Sequence, residues 1–433
     1  MSDSEMNRDK SISRRDFIKT SATSATALTT LAALNPSVFA AGSDTVKVAL
    51  VGCGGRGRGA LANFLEACEI LKRPVEIVAL ADPMPDRVDK AVKDFKTSAD
   101  IGHVGFDSYR KAVATDAHVI VMAPPPLFRP LHLDAAIEAG KHVFMEKPVA
   151  VDPPGCRKII AIGEKADQKG LSIVAGTQRR YDAKYRRAKH AIDQGAIGQI
   201  LGGCVWWCSG ELWFRRRQPG MSAAEYLVRN WVSFTELSGD HIVEQHIHNI
   251  DIANWYLGRT PRTAVGFGGR ARRKTGNQFD FFSIDFDYGE GVHIHSMCRQ
   301  VHGTWSRVRE FFRGTEGQTY GDGSGMKGNK DVTPLDYPER NPYVQEHVAL
   351  LESIFHGKPI NEARQVAEAN ASAIMGRISA YTGQVVRYAD LMKEGYTEEY
   401  YNLTCTPTAE AFETGNVVIP AEDGPPIPGR EKT

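Results

Sequence analysis

The amino-acid sequence predicts an α/β protein with an N-terminal Rossmann-type domain, a doubly wound parallel sheet, followed by a C-terminal α+β domain with a mainly antiparallel sheet. Strand-like and helix-like segments alternate regularly over residues 46–175, which is typical of parallel sheets. Four strand-like segments then follow one another at residues 263–270, 279–288, 292–299 and 308–314, with a glycine-rich turn at residues 288–291. Short turns between successive strands indicate antiparallel pairing.

The first 40 residues are predicted to be a targeting signal. Residues 13–19 read SRRDFIK, the twin-arginine pattern, and an Ala/Thr-rich segment follows. The small residues around Ala40 suit a signal peptidase. A basic disordered N-terminus is the alternative interpretation. Because the twin-arginine route exports folded proteins, we expect a periplasmic or secreted protein.

Residues 46–59, VKVALVGCGGRGRG, predict a dinucleotide site. A buried strand leads into a G-x-G-x-x-G turn, and a helix follows. The glycines permit the tight turn, the approach of a pyrophosphate and close helix packing, while the helix N-terminus offers free N–H groups. A doubly wound domain without nucleotide is the alternative. The expected contacts from this turn are Gly52, Gly54, Gly55, Arg56 and Gly57.

Asp82 follows the second strand-like segment, residues 75–81. A carboxylate there is expected to accept hydrogen bonds from the adenosine ribose and to repel a 2′-phosphate, which favours NAD over NADP. The nearby Arg87 keeps NADP open as an alternative. The next strand, residues 117–122, ends in Ala123 and three prolines, which direct the loop to the ligand-binding edge of the sheet.

Lys147 lies in Glu146-Lys147-Pro148, directly after the strand-like residues 142–145. This places it at the carboxyl edge of the sheet, where a nicotinamide is expected. A lysine there can donate to a substrate oxygen or relay its proton. A surface Glu–Lys pair is the alternative interpretation.

Residues 239–251, GDHIVEQHIHNID, predict part of a helix over residues 242–256. Glu244, His248 and Asp251 then share one helix face. A carboxylate one turn before a histidine can orient it as a general acid or base. A metal site using His241, His246 and His248 is an alternative, but the H-E-x-x-H pattern is absent and we expect no metal. Ordinary buried polar residues are a further alternative.

Composition excludes several classes of partner. The formal net charge is +1, and 24% of the residues are charged, so nothing favours nucleic acid or a membrane surface. Seven scattered cysteines do not form a disulfide framework in a chain this long. Four tryptophans are candidates for stacking on sugar rings, although core packing is their commoner use; they are Trp206, Trp207, Trp213 and Trp231.

The motifs together resemble those of the glucose–fructose oxidoreductase / inositol dehydrogenase (Gfo/Idh/MocA) family. The matching segments include VALVGCGGRG, MEKPVAVD, QRRYDAKY and GDHIVEQHIHNIDIANWYLG. This resemblance covers residues 46–393. It implies NAD(P)-dependent oxidation or reduction of a carbohydrate or polyol carbon. It also implies a Rossmann domain (residues 41–177), a C-terminal domain (178–393) whose open sheet serves a homodimer or homotetramer, and an extension (394–433).

The resemblance also assigns candidate roles to residues. Lys147 matches the catalytic lysine and His248 the histidine of the helix, while Glu244 stands where aspartate is usual. His246 replaces a small residue, and Pro124 lies in a loop that departs from the common Thr-Pro-Asn. The predicted cofactor residues are Gly52, Gly54, Gly55, Arg56, Gly57, Asp82, Pro124, Glu146 and Lys147. The predicted substrate residues are Lys147, Arg179, Tyr181, Glu244, His246 and His248.

Three functions remain open at this point. The first is a sugar or polyol oxidoreductase with a tightly bound cofactor. The second is an NAD-dependent glycosidase that oxidises its sugar transiently, eliminates the glycoside and restores the hydride. The third is a non-catalytic sugar- or nucleotide-binding protein, which the presence of both Lys147 and His248 disfavours.

Overall fold

The computed structural model describes residues 45–328, 330–395 and 405–422. The predicted signal segment and part of the C-terminal extension lie outside the described residues. The described residues belong to one compact unit that begins at Thr45. None of its helices combines the length and apolarity needed to cross a bilayer.

The N-terminal sheet has six parallel strands in the order β3-β2-β1-β4-β5-β6. Their bounds are β1 Val46–Val51, β2 Val75–Asp82, β3 Gly102–Val104, β4 Val119–Met122, β5 His142–Met145 and β6 Ile173–Ala175. The chain order reverses between β1 and β4, and ligands bind parallel sheets at such a switch point. The predicted doubly wound sheet is therefore confirmed.

Helices cover both faces of this sheet, which explains why β1, β4 and β5 are apolar almost throughout. They are α1 Gly55–Ile70, α2 Pro85–Phe95, α3 Ser108–Val113, α4 Arg129–Glu138 and α5 Pro153–Lys169. The sequence did not predict β3 and α3. Each is short, with three and six residues, so neither shows a measurable hydrophobic period.

The second sheet has seven strands in the order β12-β11-β7-β10-β9-β8-β13. Their bounds are β7 Ile200–Ser209, β8 Thr263–Gly269, β9 Phe281–Asp287, β10 His293–Gln300, β11 Arg307–Gly314, β12 Gln318–Tyr320 and β13 Val386–Arg387. Only the β7–β10 pair is parallel within these described strands. The prediction of a mainly antiparallel sheet is confirmed.

Helices pack on one face of the second sheet and leave the other open. The remaining helices of the described residues are α6 Ala183–Asp193, α7 Ala223–Arg229, α8 Thr235–Ser238, α9 His241–Glu244, α10 Ile247–Leu257, α11 Pro342–Phe355, α12 Ala363–Thr382, α13 Tyr388–Leu391 and α14 Ala409–Thr414. Of these, α9, α10, α12 and α13 contact the strands of the second sheet, whereas α11 packs on α1, β5 and β6 of the first domain. Side chains of β9 alternate accordingly, with Ile284 and Phe286 buried under α12 and Asp285 exposed. On the open face Phe267 of β8 is 73% exposed.

α12 joins the two sheets next to the end of β5. Asn370 accepts a hydrogen bond from the Val149 N–H at 3.0 Å and donates to the Ala150 carbonyl at 3.0 Å. Arg377 donates to the carbonyls of Val151 and Gly239. The loop that follows Lys147 is therefore held by a helix of the second domain.

The predicted single helix over residues 242–256 is wrong, because the structure has α9 and α10 with a break at Gln245 and His246. His246 hydrogen-bonds Ser296 of β10, and Gln245 accepts from Gln300 of the same strand. These side-chain contacts with the sheet turn the chain between the helices. A periodicity analysis does not detect such tertiary contacts.

Candidate active site

The glycine turn after β1 is built by close contacts between backbone segments. Gly52 has φ +95°, and a Cβ there would lie 2.6 Å from the Ala123 carbonyl carbon. A Cβ on Gly57 would overlap the carbonyl oxygen of Gly52. Gly54 and Gly55, by contrast, have no neighbouring atom within 4 Å of a built Cβ. Two glycines thus allow the turn to close, and two leave its outer surface clear for a ligand.

The N-terminus of α1 is available to an anion. Its N-cap residue is Gly54, which supplies no side-chain cap, and its first turn contains no acidic residue. The backbone N–H groups there are suited to phosphate oxygens. The clear surface at Gly54 and Gly55 and this uncapped N-terminus both fit the pyrophosphate of a dinucleotide.

Asp82 fixes the turn from the end of β2. Its carboxylate accepts hydrogen bonds from the N–H groups of Cys53 and Met84, each at 2.8 Å. Burial raises the pKa of Asp82, while Arg87 and these two N–H groups act in the opposite direction. The carboxylate also lines the cavity described next, so its predicted contact with a ribose remains a prediction.

A cavity of about 580 Å³ lies over the glycine turn, within the size range of ligand sites. Its lining includes the predicted cofactor residues Gly52, Gly54, Gly55, Arg56, Gly57, Asp82 and Pro124. Trp213, Arg215, Arg229 and Trp231, from the connection between β7 and α8, also line it. The cavity therefore has walls from both domains.

Glu146 is placed behind this cavity rather than in its lining. Its Oε1 lies 2.8 Å from Nε of Arg56, whose guanidinium lies 4.9 Å from the centroid of the Tyr343 ring. Glu146 thus positions a residue of the glycine turn. Its direct contact with the cofactor stays a prediction, since Arg56 lines the cavity and Glu146 does not.

Lys147 and Glu244 meet at the carboxyl edge of β5. Lys147 Nζ donates to the Glu244 backbone carbonyl at 2.7 Å and lies 3.2 Å from its Oε1. Both side chains are 13% exposed. Lys147 stands two residues beyond Met145, which pairs with Met122 of β4. Pro124 of the cavity lining stands two residues beyond Met122, so the two loops leave neighbouring strands at the same edge of the sheet, although Lys147 itself is not among the residues that line the cavity.

His248 is buried beside the same lysine. Its ring stacks on Trp207 with centroids 5.6 Å apart. Burial, followed by the charges of Lys147 and Arg179, holds the pKa of His248 well below its ordinary value. The imidazole is therefore neutral at pH 7 and can accept a proton or, through its N–H, donate a hydrogen bond.

The expected orientation of His248 by Glu244 is wrong in this structure. The break between α9 and α10 turns the Glu244 carboxylate to Lys147. Asp251, the third residue of the predicted helix face, pairs with Arg180 through two hydrogen bonds of 2.8 and 2.9 Å. Burial and stacking on Trp207, rather than a carboxylate, define the surroundings of His248.

Arg179 belongs to this group and reveals a residue that sequence reasoning missed. Its guanidinium lies 5.7 Å from the Trp207 ring centroid and pairs with Glu310 of β11. Glu310 is fully buried, also accepts from Asn249 at 2.6 Å, and has its pKa raised by burial. Its inward position in β11 follows from strand alternation, but its partner does not.

Tyr181 and His246 are not brought to the lysine–histidine group. Tyr181 donates to Glu362 at 2.6 Å in the interior, and His246 contacts Ser296 under the sheet at 2.7 Å. Burial lowers the pKa of His246 to about 3. Both side chains are buried and each makes a hydrogen bond in the interior, and their contact with substrate stays a prediction.

Arg129 is a second residue that sequence reasoning missed. Its guanidinium donates twice to the Pro124 carbonyl, at 3.0 and 2.8 Å, and so fixes the loop after β4. Burial lowers its pKa to about 10. Nearby His132 stacks on Tyr109 with centroids 4.0 Å apart and lines the cavity. In the sequence, Arg129 is indistinguishable from a solvated arginine.

The described residues contain no group of three or more His, Cys, Asp or Glu side chains that would hold a metal ion. All seven cysteines are free thiols.

Two family models match this chain. Residues 46–173 match the NAD-binding Rossmann fold of the Gfo/Idh/MocA oxidoreductase family, and residues 185–320 match the C-terminal domain of that family. The chain belongs to the Gfo/Idh/MocA oxidoreductase family. The resemblance noted in the sequence and the prediction of NAD as cofactor are confirmed.

Curated relatives match over part of their length. An inositol 2-dehydrogenase of Serratia proteamaculans is 29% identical over 216 residues, covering 49% of this chain and 55% of that protein. A 1-carboxy-3-chloro-3,4-dihydroxycyclohexa-1,5-diene dehydrogenase of Comamonas testosteroni is 30% identical over 254 residues, covering 58% and 57%. The chain thus spans little more than half the length of these two relatives.

Solved structures share the fold at low sequence identity. The aldose–aldose oxidoreductase of Caulobacter crescentus has a TM-score of 0.61 at 16% identity, covering 79% of this chain and 99% of that chain. The scyllo-inositol dehydrogenase of Lactobacillus casei, solved with NAD(H) and scyllo-inositol, has a TM-score of 0.61 at 20% identity, covering 80% and 99%.

The glycine turn yields a matched pair of variants. In Gly57→Ala the new methyl group meets the Gly52 carbonyl, so α1 must move; we expect a loss of about 1–3 kcal/mol in the free energy of unfolding and weaker NADH binding. In Gly59→Ala the nearest atom is 3.7 Å away, and this helical position should gain about 0.5–1 kcal/mol. Urea unfolding and NADH titration test both. Equal behaviour of the two variants would contradict the close contact.

Behind Glu146, α11 carries a buried carboxyl group at Glu346. Neither of its oxygens has a hydrogen-bond partner in the described part of the chain. Burial, then the negative charge of Glu146, raises its pKa well above the ordinary value, while Arg56 opposes the shift. The folded protein therefore keeps a proton here that the unfolded chain releases above about pH 4.3.

This extra proton predicts a pH-dependent effect of Glu346→Gln. Since the folded state binds one more proton than the unfolded state, the free energy of unfolding of the wild type falls as the pH rises above about 4.3. The glutamine variant lacks this dependence, so its melting temperature should exceed that of the wild type at pH 8, by less at pH 5. Glu352→Gln, on an exposed turn of the same helix, is the control. A variant equally destabilised at both pH values would show that Glu346 is ionised.

Proposed function

We propose that this protein oxidises or reduces a hydroxyl or carbonyl carbon of a carbohydrate, glycoside or polyol with NAD that stays bound between turnovers. The supporting observation is the meeting of Lys147, Glu244 and His248 at the carboxyl edge of β5. The neighbouring strand β4 leads at the same edge to Pro124, which lines the cavity that fits a dinucleotide. The inositol dehydrogenases among the relatives support a polyol or sugar substrate.

The residues have complementary tasks in this proposal. Bound NAD supplies the hydride acceptor or donor. Lys147 hydrogen-bonds the reacting oxygen and carries its proton, and Glu244 holds the ammonium group in place at 3.2 Å. His248, neutral at pH 7, contacts the same or the adjacent hydroxyl. Arg179 borders the proposed substrate position on the side of Trp207 and is held there by its ion pair with Glu310.

Retention of NAD is proposed from two lines of reasoning. Side chains of both domains line the cavity, so a ligand held between them is released more slowly than one on a single surface. In addition, the twin-arginine pattern at residues 13–19 would deliver a folded protein to a periplasm with little free nucleotide. We therefore propose that the protein is exported after NAD has bound. The proposed signal comprises residues 1–40, the Rossmann domain residues 41–177 and the C-terminal domain residues 178–393. We propose NAD rather than NADP, the alternative that Arg87 left open, because the Asp82 carboxylate would repel a 2′-phosphate.

Lys147→Ala should abolish turnover and leave the bound nucleotide and the fold intact, because the side chain bonds Glu244 and not the glycine turn. His248→Ala should lower kcat by a factor on the order of 10²–10⁴, the usual contribution of a positioned acid or base. Lys165→Ala, an exposed lysine paired with Asp134 and Glu138, should keep full activity.

The assay uses thoroughly desalted protein without added nucleotide, supplied with inositols, pairs of aldoses or methyl glycosides. Redox exchange between two sugars that disappears in Lys147→Ala supports the proposal. Cleavage of a glycoside without net NADH would identify the glycosidase reaction instead. Unchanged turnover in Lys147→Ala would remove this lysine from the mechanism.

We also propose that the open face of the second sheet pairs with another copy of the chain. A row across this face contains Phe267, Ser283, Met297 and Trp206, which are register neighbours on β8, β9, β10 and β7. A partner would cover the exposed Phe267 and its apolar neighbours. Phe267→Glu should convert a dimer or tetramer to smaller species in light scattering, and Glu352→Gln should not. A wild type that is monomeric at micromolar concentration would refute the pairing.

A further inference from the structure

Residues 213–231, here called the lid, form the wall of the nucleotide cavity that faces the glycine turn. The lid belongs to the connection between β7 and α8 of the second domain and includes α7. Trp213, Arg229 and Trp231 reach the cavity, which also has Asp82 and Lys90 in its lining. Asp82 is the predicted contact of the adenosine ribose, and Arg229 of the lid pairs with Asp86, four residues further along the chain, so the lid lies at the end of the cavity predicted for adenosine.

The lid is a preformed unit. Asn230 is fully buried; its side chain accepts from the Arg215 N–H at 2.7 Å and donates to the Arg215 carbonyl at 3.0 Å. Trp213 Nε1 donates to the Arg229 carbonyl at 3.3 Å, and its ring meets Trp231 edge to face at 6.4 Å. The two halves of the lid are thus tied together independently of any ligand.

An ion pair, here called the latch, joins the lid to the Rossmann domain. Arg229 donates to both carboxylate oxygens of Asp86, at 2.8 and 3.2 Å. Asp86 lies in the first turn of α2, four residues after Asp82. Glu225 holds the same guanidinium from within α7 at 2.8 Å. Bidentate pairs of this kind fix geometry as well as distance.

Residues 405–422, here called the strap, contact both the Rossmann domain and the lid. Phe412 packs on Phe128 with ring centroids 5.0 Å apart, and Glu413 accepts from Tyr109 at 2.9 Å. At the other end of the strap, Glu422 accepts from Tyr226 of α7 at 2.8 Å. The strap therefore links α3 and the loop after β4 to the lid helix.

We infer that the lid is part of the NAD site: Trp213 and Trp231 contact the adenosine half of the cofactor, and the latch and strap keep that wall closed. Tryptophan faces suit a purine ring, which stacks on aromatic side chains. These two tryptophans thus serve the nucleotide and not the sugar. The inference rests on the proposed retention of NAD, because it names the element that must open before the nucleotide leaves.

Release of NADH measures the lid directly. Protein loaded with NADH is diluted into excess NAD, and the decay of bound-NADH fluorescence gives the release rate. Arg229→Ala and Asp86→Asn should each accelerate release on the order of tenfold, equivalent to about 1.4 kcal/mol, and the wild-type rate should rise with salt. Trp213→Ala should accelerate release by a similar factor. Arg364→Ala, which breaks an exposed pair with Glu164, is the control and should not change the rate.

Exchanging the charges of Asp86 and Arg229 distinguishes an effect of the latch from a direct contact of Arg229 with the cofactor. The variant Asp86→Arg, Glu225→Gln, Arg229→Asp restores the pair in reverse and should restore slow release; Glu225→Gln removes the carboxylate that would otherwise repel an aspartate at position 229. Fast release in this variant would overturn the latch, since Arg229 would then act on the nucleotide itself. Wild-type release rates in Asp86→Asn and Trp213→Ala, both checked for folding by circular dichroism, would overturn the lid.

The proposed function fails in a different way. If the wild type loses its nucleotide during desalting, retention is refuted, whatever the variants do. If the wild type retains NADH and all variants match it, only the role of the lid is refuted.

Discussion

The close approach of α1 to the end of β1 is the constraint on which the rest of this site depends. Gly57 can pack against the Gly52 carbonyl because neither residue has a side chain. Asp82 then holds the turn through the Cys53 N–H. This packing leaves the helix N-terminus clear for phosphate and places the cavity at the end of β4, where Pro124 lines it. Lys147 follows β5, the strand that pairs with β4. The reacting groups are thus positioned by backbone contacts in which no reactive side chain takes part.

Buried charges complete the site from behind. Glu146 positions Arg56, Glu310 positions Arg179, and Arg129 holds the Pro124 carbonyl. In each case the residue that is held either lines the cavity or lies in the Lys147–His248 group, and its partner lies in the layer of residues behind it. Glu146, Glu310 and Arg129 are each buried, and a buried charge without a partner is costly, so these contacts fix the orientation of the groups that they hold. The NAD-binding domain supplies Glu146 and Arg129, and the second domain supplies Glu310, so the site depends on residues of both domains.

The sequence predicted the parallel sheet and the glycine turn because both follow from local patterns: apolar runs, glycine spacing and the position of Asp82. It also predicted that Lys147, Glu244 and His248 come together, through the resemblance to the Gfo/Idh/MocA family. It did not predict the break at Gln245 and His246, which depends on contacts with β10. Nor did it indicate that Tyr181 is already paired with Glu362. Pairings between residues far apart in the chain leave no local signal.

A crystal structure of the protein with NAD and a polyol such as an inositol tests the central claim most directly. We predict a substrate hydroxyl within hydrogen-bond distance of both Lys147 and His248, the pyrophosphate at Gly54 and Gly55, and the adenosine under Trp213 and Trp231. A dinucleotide bound outside the cavity, or a substrate remote from Lys147, would contradict the assignment of this edge of the sheet as the site of oxidation and reduction.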